Sequence, residues 1–194
     1  STQVLAQDGE ADMSENILEE VIVTATKFST NLMDTPLAVS AFEQEQLDKL
    51  GITNVRELVN IVPNMSIMTD VESMAPIITM RGVRSTNTTE WGDPAVGVHY
   101  DGIYSPRPQG ALALMHDIER VEVLRGPQGT LYGRNSTVGT VNIISKRPDF
   151  EEFSGSAEVE LGNWNKRVLK GVLNIPVADN FGFRAAFFGE TRDS

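Results

Sequence analysis

The chain has no cysteine, only two histidines, and a shortfall of positive charge: 16 Lys and Arg stand against 27 Asp and Glu, for a net charge of -11. Without cysteine there is no disulfide framework and no thiolate metal site. His99 and His116, the only two imidazoles, leave a histidine-based metal centre short of ligands. The acidic balance argues against a nucleic-acid binder, which needs a basic face to displace counterions from phosphates. No apolar run approaches the roughly 18 residues of a spanning helix. Catalytic motifs are missing as well. Residues 129–136 suggest a phosphate loop but lack the Gly-Lys-Ser/Thr that such a loop needs. No Ser/His/Asp spacing stands out, and acid pairs such as Glu119 and Glu122 read as solvated strand or helix faces, so no enzyme and no cofactor are expected.

The charge that is present is unevenly placed. Residues 1–27 hold six acids and one base, residues 28–149 fourteen and ten, and residues 150–194 seven and five. The first segment is also poor in aromatics, and its composition cannot offset the entropy of ordering, so most of it is expected to be disordered. Val4-Leu5-Ala6 resembles the small-residue end of a secretory signal peptide, which would make Ser1–Ala6 a remnant of one; otherwise it is plain tail. Inside this acidic stretch lies a β-prone island, Glu19-Glu20-Val21-Ile22-Val23-Thr24-Ala25, with no pairing strand on either flank. An extended, unpaired peptide of this kind suits addition to the sheet edge of another protein. The competing reading is a first strand of the folded domain.

The folded part is expected to begin near Thr35-Pro36. Leu37–Phe42 reads as a strand and Glu43–Leu50 as a helix stopped by Gly51. Thr53 is placed to cap a second helix, Asn54–Ile61, which Pro63 ends. Met65–Asp70, Ile77–Arg81, Ala95–Tyr100, Arg120–Leu124 and Val138–Ser145 read as strands, with long Gly-, Pro- and Asn-rich connections at 82–94 and 101–110. This is the pattern of a small α+β domain, a mixed sheet with short helices, and its long loops are where function is sought.

After Pro148 the pattern becomes strict alternation. Ala157, Val159 and Leu161 oppose Ser156, Glu158 and Glu160. Leu169, Gly171, Leu173 and Ile175 oppose Val168, Lys170, Val172 and Asn174. Phe181, Phe183, Ala185 and Phe187 oppose Gly182, Arg184, Ala186 and Phe188. Antiparallel strands of this length with one apolar face are the signature of a transmembrane β-barrel; half of a soluble sandwich also alternates. A membrane barrel needs at least about eight strands, so the sheet is expected to be unfinished and the chain to be the front part of a longer one.

The densest motif is Asp117-Ile118-Glu119-Arg120-Val121-Glu122-Val123-Leu124-Arg125-Gly126-Pro127-Gln128-Gly129, continuing through Leu131-Tyr132-Gly133 to Gly139-Thr140-Val141-Asn142-Ile143-Ile144-Ser145. It closely resembles the plug of TonB-dependent outer-membrane transporters. Arg81-Gly82, Tyr100-Asp101-Gly102 and the Thr35-Pro36 entry match the same family in the same order. One departure is Val138, where the family commonly has the first glycine of a Gly-Gly pair. The resemblance divides the chain into a tail at 1–34, a plug at 35–149 and the start of a barrel at 150–194.

The resemblance implies a transporter of the Gram-negative outer membrane. Glu20, Val21, Ile22, Val23, Thr24 and Ala25 fall where the family carries its TonB box, the strand offered in the periplasm to TonB and its inner-membrane energising complex. Arg81 and Arg125 match plug arginines expected to meet barrel-wall carboxylates inside the lumen. In the ligand-facing loops the candidates are Arg84, Asn87, Trp91, Arg107 and Gln109. Trp91 would stack on a ring, and Arg84 or Arg107 would attract an acidic ferric chelate. A ferric siderophore is the commonest substrate class of the family, with carbohydrate, cobalamin and haem as alternatives. The rival from another class is a periplasmic protein-interaction module with no barrel, against which the Phe181, Phe183 and Phe187 stripe argues, since water would leave it exposed.

Overall fold

The computed structural model describes residues 22–24, 30–31, 38–69, 76–85, 93–106 and 115–193. In chain order the elements are β1 (Ile22–Val23), β2 (Thr30–Asn31), β3 (Val39–Glu43), α1 (Gln44–Lys49), a 3-10 helix (Val55–Asn60), β4 (Met65–Thr69), β5 (Pro76–Met80), β6 (Val96–Tyr100), β7 (Ile103–Tyr104), β8 (Ile118–Arg125), α2 (Gly129–Tyr132), β9 (Gly139–Ser145), β10 (Ser154–Leu161), β11 (Arg167–Ala178) and β12 (Phe181–Thr191).

Five strands form the central sheet in the order β3-β8-β9-β6-β7. Only the β6–β9 pair is parallel, so the sheet is mixed, as expected of the α+β reading. Alternation along β8 and β9 sends Val121, Val123, Val141 and Ile143 to one face. There they meet Val96 and Val98 of β6, with Leu47, Ile52, Val55, Leu58, Val62 and Met80 supplied by α1, the 3-10 helix and the β4–β5 hairpin. This apolar cluster is the core. Arg120, Glu122 and Leu124 necessarily point to the opposite face, and they too are buried.

Gly51 ends α1 as expected. At φ +67 it donates its N–H to the Asp48 carbonyl, and Ile52 donates to the Leu47 carbonyl, the paired bonds of a Schellman motif. The second helix differs from its reading. It is a 3-10 turn with Asn54 at the N-cap position, and Thr53 gives both its N–H (2.6 Å) and its hydroxyl (3.2 Å) to Glu57 Oε2. The carboxylate of the first turn thus reaches back to satisfy the entering chain. Two short elements, β7 and α2, were not legible in the periodicity, because two and four residues carry no period to read.

The three alternating segments form one antiparallel sheet in the order β10-β11-β12. The register sets Val159 opposite Leu169, Gly171 opposite Phe187, Leu173 opposite Ala185 and Ile175 opposite Phe183. Val159, Leu161, Leu169, Leu173, Phe183 and Phe187 are all exposed on that face. The other face packs toward the central sheet. Val168 and Asn174 are buried there, with Asn174 Oδ1 accepting from the Asp149 N–H and its Nδ2 donating to the Asp149 and Glu152 carbonyls. β11 runs past its expected end at Ile175, because its ladder with β12 continues through Pro176–Gly182 and Ala178–Phe181. Pro176 is tolerated there because β10 stops pairing at Asn174, so the missing donor faces no strand.

Candidate functional site

The β-prone island is not an unpaired peptide at its described positions. Ile22–Val23 pairs antiparallel with Thr30–Asn31, a partner too short to be recognised as a strand in the sequence. The Val23 side chain is fully buried in a socket made with Leu124 and Tyr132, flanked by Val39 and Ala41. Next to it, Thr24 donates its N–H (2.6 Å) and its hydroxyl (3.0 Å) to Glu122 Oε1. The Tyr132 hydroxyl lies 3.5 Å from the Thr24 carbonyl, and Arg120 Nη2 lies 3.4 Å from the Thr24 hydroxyl. Docking on the folded body therefore agrees with the first-strand reading for Val23–Thr24. Glu20, Val21 and Ala25 lie outside the described residues, and Ile22 is described in its backbone alone.

Glu122 corrects a second expectation. Its side chain is 0 % exposed, not solvated, because the Val23–Thr24 segment and Tyr132 cover that face of β8. Arg120 holds it through Nε at 2.9 Å, and the same guanidinium pairs with the half-exposed Glu119 carboxylate. Register carries this polarity across the whole sheet: Ala41, Glu122, Asn142, His99 and Tyr104 are successive cross-strand neighbours. The His99 ring sits 5.0 Å from Tyr132 and 5.5 Å from Tyr104, and Asn135 Nδ2 donates to the Tyr104 hydroxyl at 2.7 Å. Among the described residues Glu122 Oε2, Asn142 Oδ1, Thr140 Oγ1 and Ser136 Oγ find no hydrogen-bond partner. Burial, with the Glu122 charge second, pushes the Tyr132 hydroxyl up to about 12. It stays protonated and able to donate at any physiological pH.

His99 is inside the sheet, whereas Asp101 (φ +50) and Gly102 (φ +81) form the two-residue turn between β6 and β7. Asp101 Oδ1 accepts from the Ser145 N–H at 2.8 Å, which ties this turn to β9. Arg81 (φ +51) and Gly82 (φ +77) form a similar turn, closed by Met80 and Val83 exchanging N–H and carbonyl at 3.1 and 3.0 Å. The Arg-Gly and Asp-Gly motifs are thus turn chemistry first. Arg81 is exposed and lies over Gly126, beside Arg125, which is half-buried with its Nε buried and unbonded among the described residues. No carboxylate among the described residues pairs with either arginine.

The contact that joins the central sheet to β10–β12 was not found in the sequence. Arg184 of β12 grips Asp117 with two bonds, Nε to Oδ2 at 2.7 Å and Nη2 to Oδ1 at 2.5 Å, with both side chains largely buried. His116 Nε2 lies 3.4 Å from the Gly171 carbonyl, and its ring 6.2 Å from that of Phe188. A crevice of about 340 Å³ runs between β10–β12 and the plug surface formed by α1, Thr53 and the turn at Met115–Asp117. A charged residue on the inward face of each partner was the available signal, but pairing them requires the fold.

Of the loop candidates only Arg84 is described. It is exposed, with Nη1 3.3 Å from Met68 Sδ on the neighbouring hairpin strand. Asn87, Trp91, Arg107 and Gln109 lie outside the described residues. Among the described residues no group of three or more His, Asp or Glu could hold a metal ion.

A family model described as TonB-dependent Receptor Plug Domain matches residues 31–140. Among characterised proteins, the chain is 32% identical over 148 residues to the pesticin receptor of Yersinia enterocolitica, covering 74% of this chain and 20% of that protein. It is 30% identical over 185 residues to the ferrioxamine B receptor of Salmonella typhimurium, covering 90% and 25%. Among solved structures, the ferric-catecholate import receptor Fiu from E. coli K12 superposes with a TM-score of 0.68 at 27% identity, covering 86% of this chain and 23% of that one. The chain spans about a fifth to a quarter of the length of these relatives.

Proposed function

Because the chain belongs to the TonB-dependent receptor plug family, we propose that it supplies the gate and the first wall strands of a transporter that takes a ferric siderophore, or a similarly scarce ligand, across the outer membrane. Residues 1–34 are the tail with its coupling segment, 35–149 the plug and 150–194 the opening of the barrel. The observation that carries this reading is the joint. A buried bidentate pair, Arg184 with Asp117, fixes the inward face of three hairpin-linked strands on a plug-type sheet, while their other face exposes a continuous apolar stripe. Such a stripe suits lipid and is a liability in water, which weighs against a periplasmic module without a barrel. The family is one of receptors, and no step of chemistry on the ligand is invoked.

The names of the relatives, receptors for ferrioxamine B and for catecholate siderophores among them, support the siderophore class over carbohydrate, cobalamin or haem. Arg84, Asn87, Trp91, Arg107 and Gln109 are proposed to face the ligand. Arg81, whose guanidinium lies by Gly126, and Arg125, next to that glycine in the chain, are proposed to meet wall carboxylates. Glu20–Ala25 is the strand offered to TonB in the periplasm, with main-chain hydrogen bonds giving most of the affinity.

The coupling step is tested with a peptide spanning Glu19–Lys27 titrated calorimetrically against the C-terminal domain of TonB. The wild-type peptide is expected to bind, and Val23→Pro to abolish binding by removing a ladder donor. Equal heats from the two peptides would reject the strand-addition reading. Growth of a deletion strain on a panel of ferric chelates assigns the substrate.

A further inference from the structure

We infer that the buried Glu122–Arg120 pair is a clasp for the Val23–Thr24 segment, and that it sets how much of that segment is free to join a partner's sheet. The inference rests on the reading of Glu20–Ala25 as the strand-adding segment. Glu122 Oε1 receives three donors: Arg120 Nε from its own strand, and the N–H and hydroxyl of Thr24 from 98 residues away. Within the sheet the carboxylate answers Arg120, the buried same-face neighbour two residues before it; its other same-face neighbours include Ala41 and Asn142 across the ladders and Leu124 along the strand. Replacing such a buried pair as a whole by apolar side chains is often neutral or better for stability. What the carboxylate adds is a hold on Thr24.

That hold competes with strand addition. A Thr24 N–H given to Glu122 is not available to a partner strand, and a Val23 side chain seated against Leu124 and Tyr132 is not available to a partner's pocket. The docked and donated states exclude each other, so the apparent affinity for a partner falls with the fraction of segment that is free. The clasp is also built to open. A cavity of about 730 Å³ borders it, lined in part by Thr24, Arg120, Tyr132 and Asn142, and water entering from there can replace Thr24 as the donor to Glu122. A purely apolar socket offers no such substitution.

The test is amide hydrogen exchange on the intact protein, comparing wild type with Glu122→Gln and Thr24→Val. The Thr24 amide is expected to exchange roughly tenfold or more faster in Glu122→Gln, which removes the charge from the acceptor. The Val121, Val123 and Val141 amides should keep their rates. Thr24→Val keeps the N–H and removes only the hydroxyl donor, so position 24 should speed up severalfold. It decides the question alone if Glu122→Gln loosens the whole sheet. In parallel, binding of the TonB C-terminal domain to the intact protein should tighten in Glu122→Gln toward the value for the free Glu19–Lys27 peptide. Unchanged exchange at position 24 in both variants overturns the clasp. Faster exchange with no binding by either protein or peptide leaves the clasp standing and overturns the coupling reading.

Discussion

Gly139 opens β9 at a point where backbone and side chains converge. A Cβ added there would overlap Met80 Sδ and stand 2.6 Å from the Leu124 carbonyl oxygen, one of the two obstacles being main chain of the neighbouring strand. Gly139→Ala is therefore expected to cost about 1–3 kcal/mol, the usual range for overpacking a filled site. Gly171 gives the contrast. The atoms nearest its added Cβ all belong to the ring of Phe187, an exposed side chain that can swing aside, so Gly171→Ala should cost clearly less. Denaturant midpoints of the two variants measure the difference, and equal losses would contradict the geometry. This bears on the departure noticed in the motif. The chain replaces the first glycine of the family's pair with Val138, whose side chain packs on the core, and retains the glycine that the structure needs. Glu122 shows the opposite limit. A charged residue alternating with valines reads as solvent-facing, and only the return of a segment 98 residues earlier in the chain reveals that its face is covered.

At the scale of elements, Asp117 and Arg184 are the tie between the two sheets. Asp117 adopts φ +56, in the turn that leads into β8, and this aims its carboxylate at β12. Arg184→Met would strand that carboxylate in the crevice, at a cost of about 3–5 kcal/mol. Adding Asp117→Asn, which tolerates the left-handed backbone, removes the orphaned charge and should restore most of the loss. A double-mutant cycle on unfolding free energies checks this; additive single effects would mean that the pair is not coupled. The elements themselves were largely legible, because β8, β9 and the three hairpin strands are long enough to display a period of two. What escaped was either too short for a period, as with β2, β7 and α2, or dependent on pairing across distance. The joint belongs to the second kind. Asp117 and Arg184 lie 67 residues apart, and although Asp117 opens the densest motif, nothing local pairs it with Arg184.

At the scale of the molecule, the two faces of β10–β12 place opposite demands on their surroundings. One buries Val168 and is tied to the plug by Arg184 and by the bonds of Asn174 to the Asp149 backbone, and the other presents Val159, Leu161, Leu169, Leu173, Phe183 and Phe187 outward. If that stripe lies in lipid, the cost of a charge on it must depend on depth. Arginine placed in turn at Leu161, Leu169, Leu173 and Val177 of the intact protein should trace a peak. The central positions should lose about 2–4 kcal/mol of folding free energy in vesicles and the end positions about 0–1. Arginine at Glu158, on the inward face, should show no such dependence. A stripe that instead covers a partner protein in water would give losses that follow local packing, not depth along the strand. A flat profile, or one in which the ends lose more than the centre, would therefore remove the barrel from this reading and leave the plug as an interaction module.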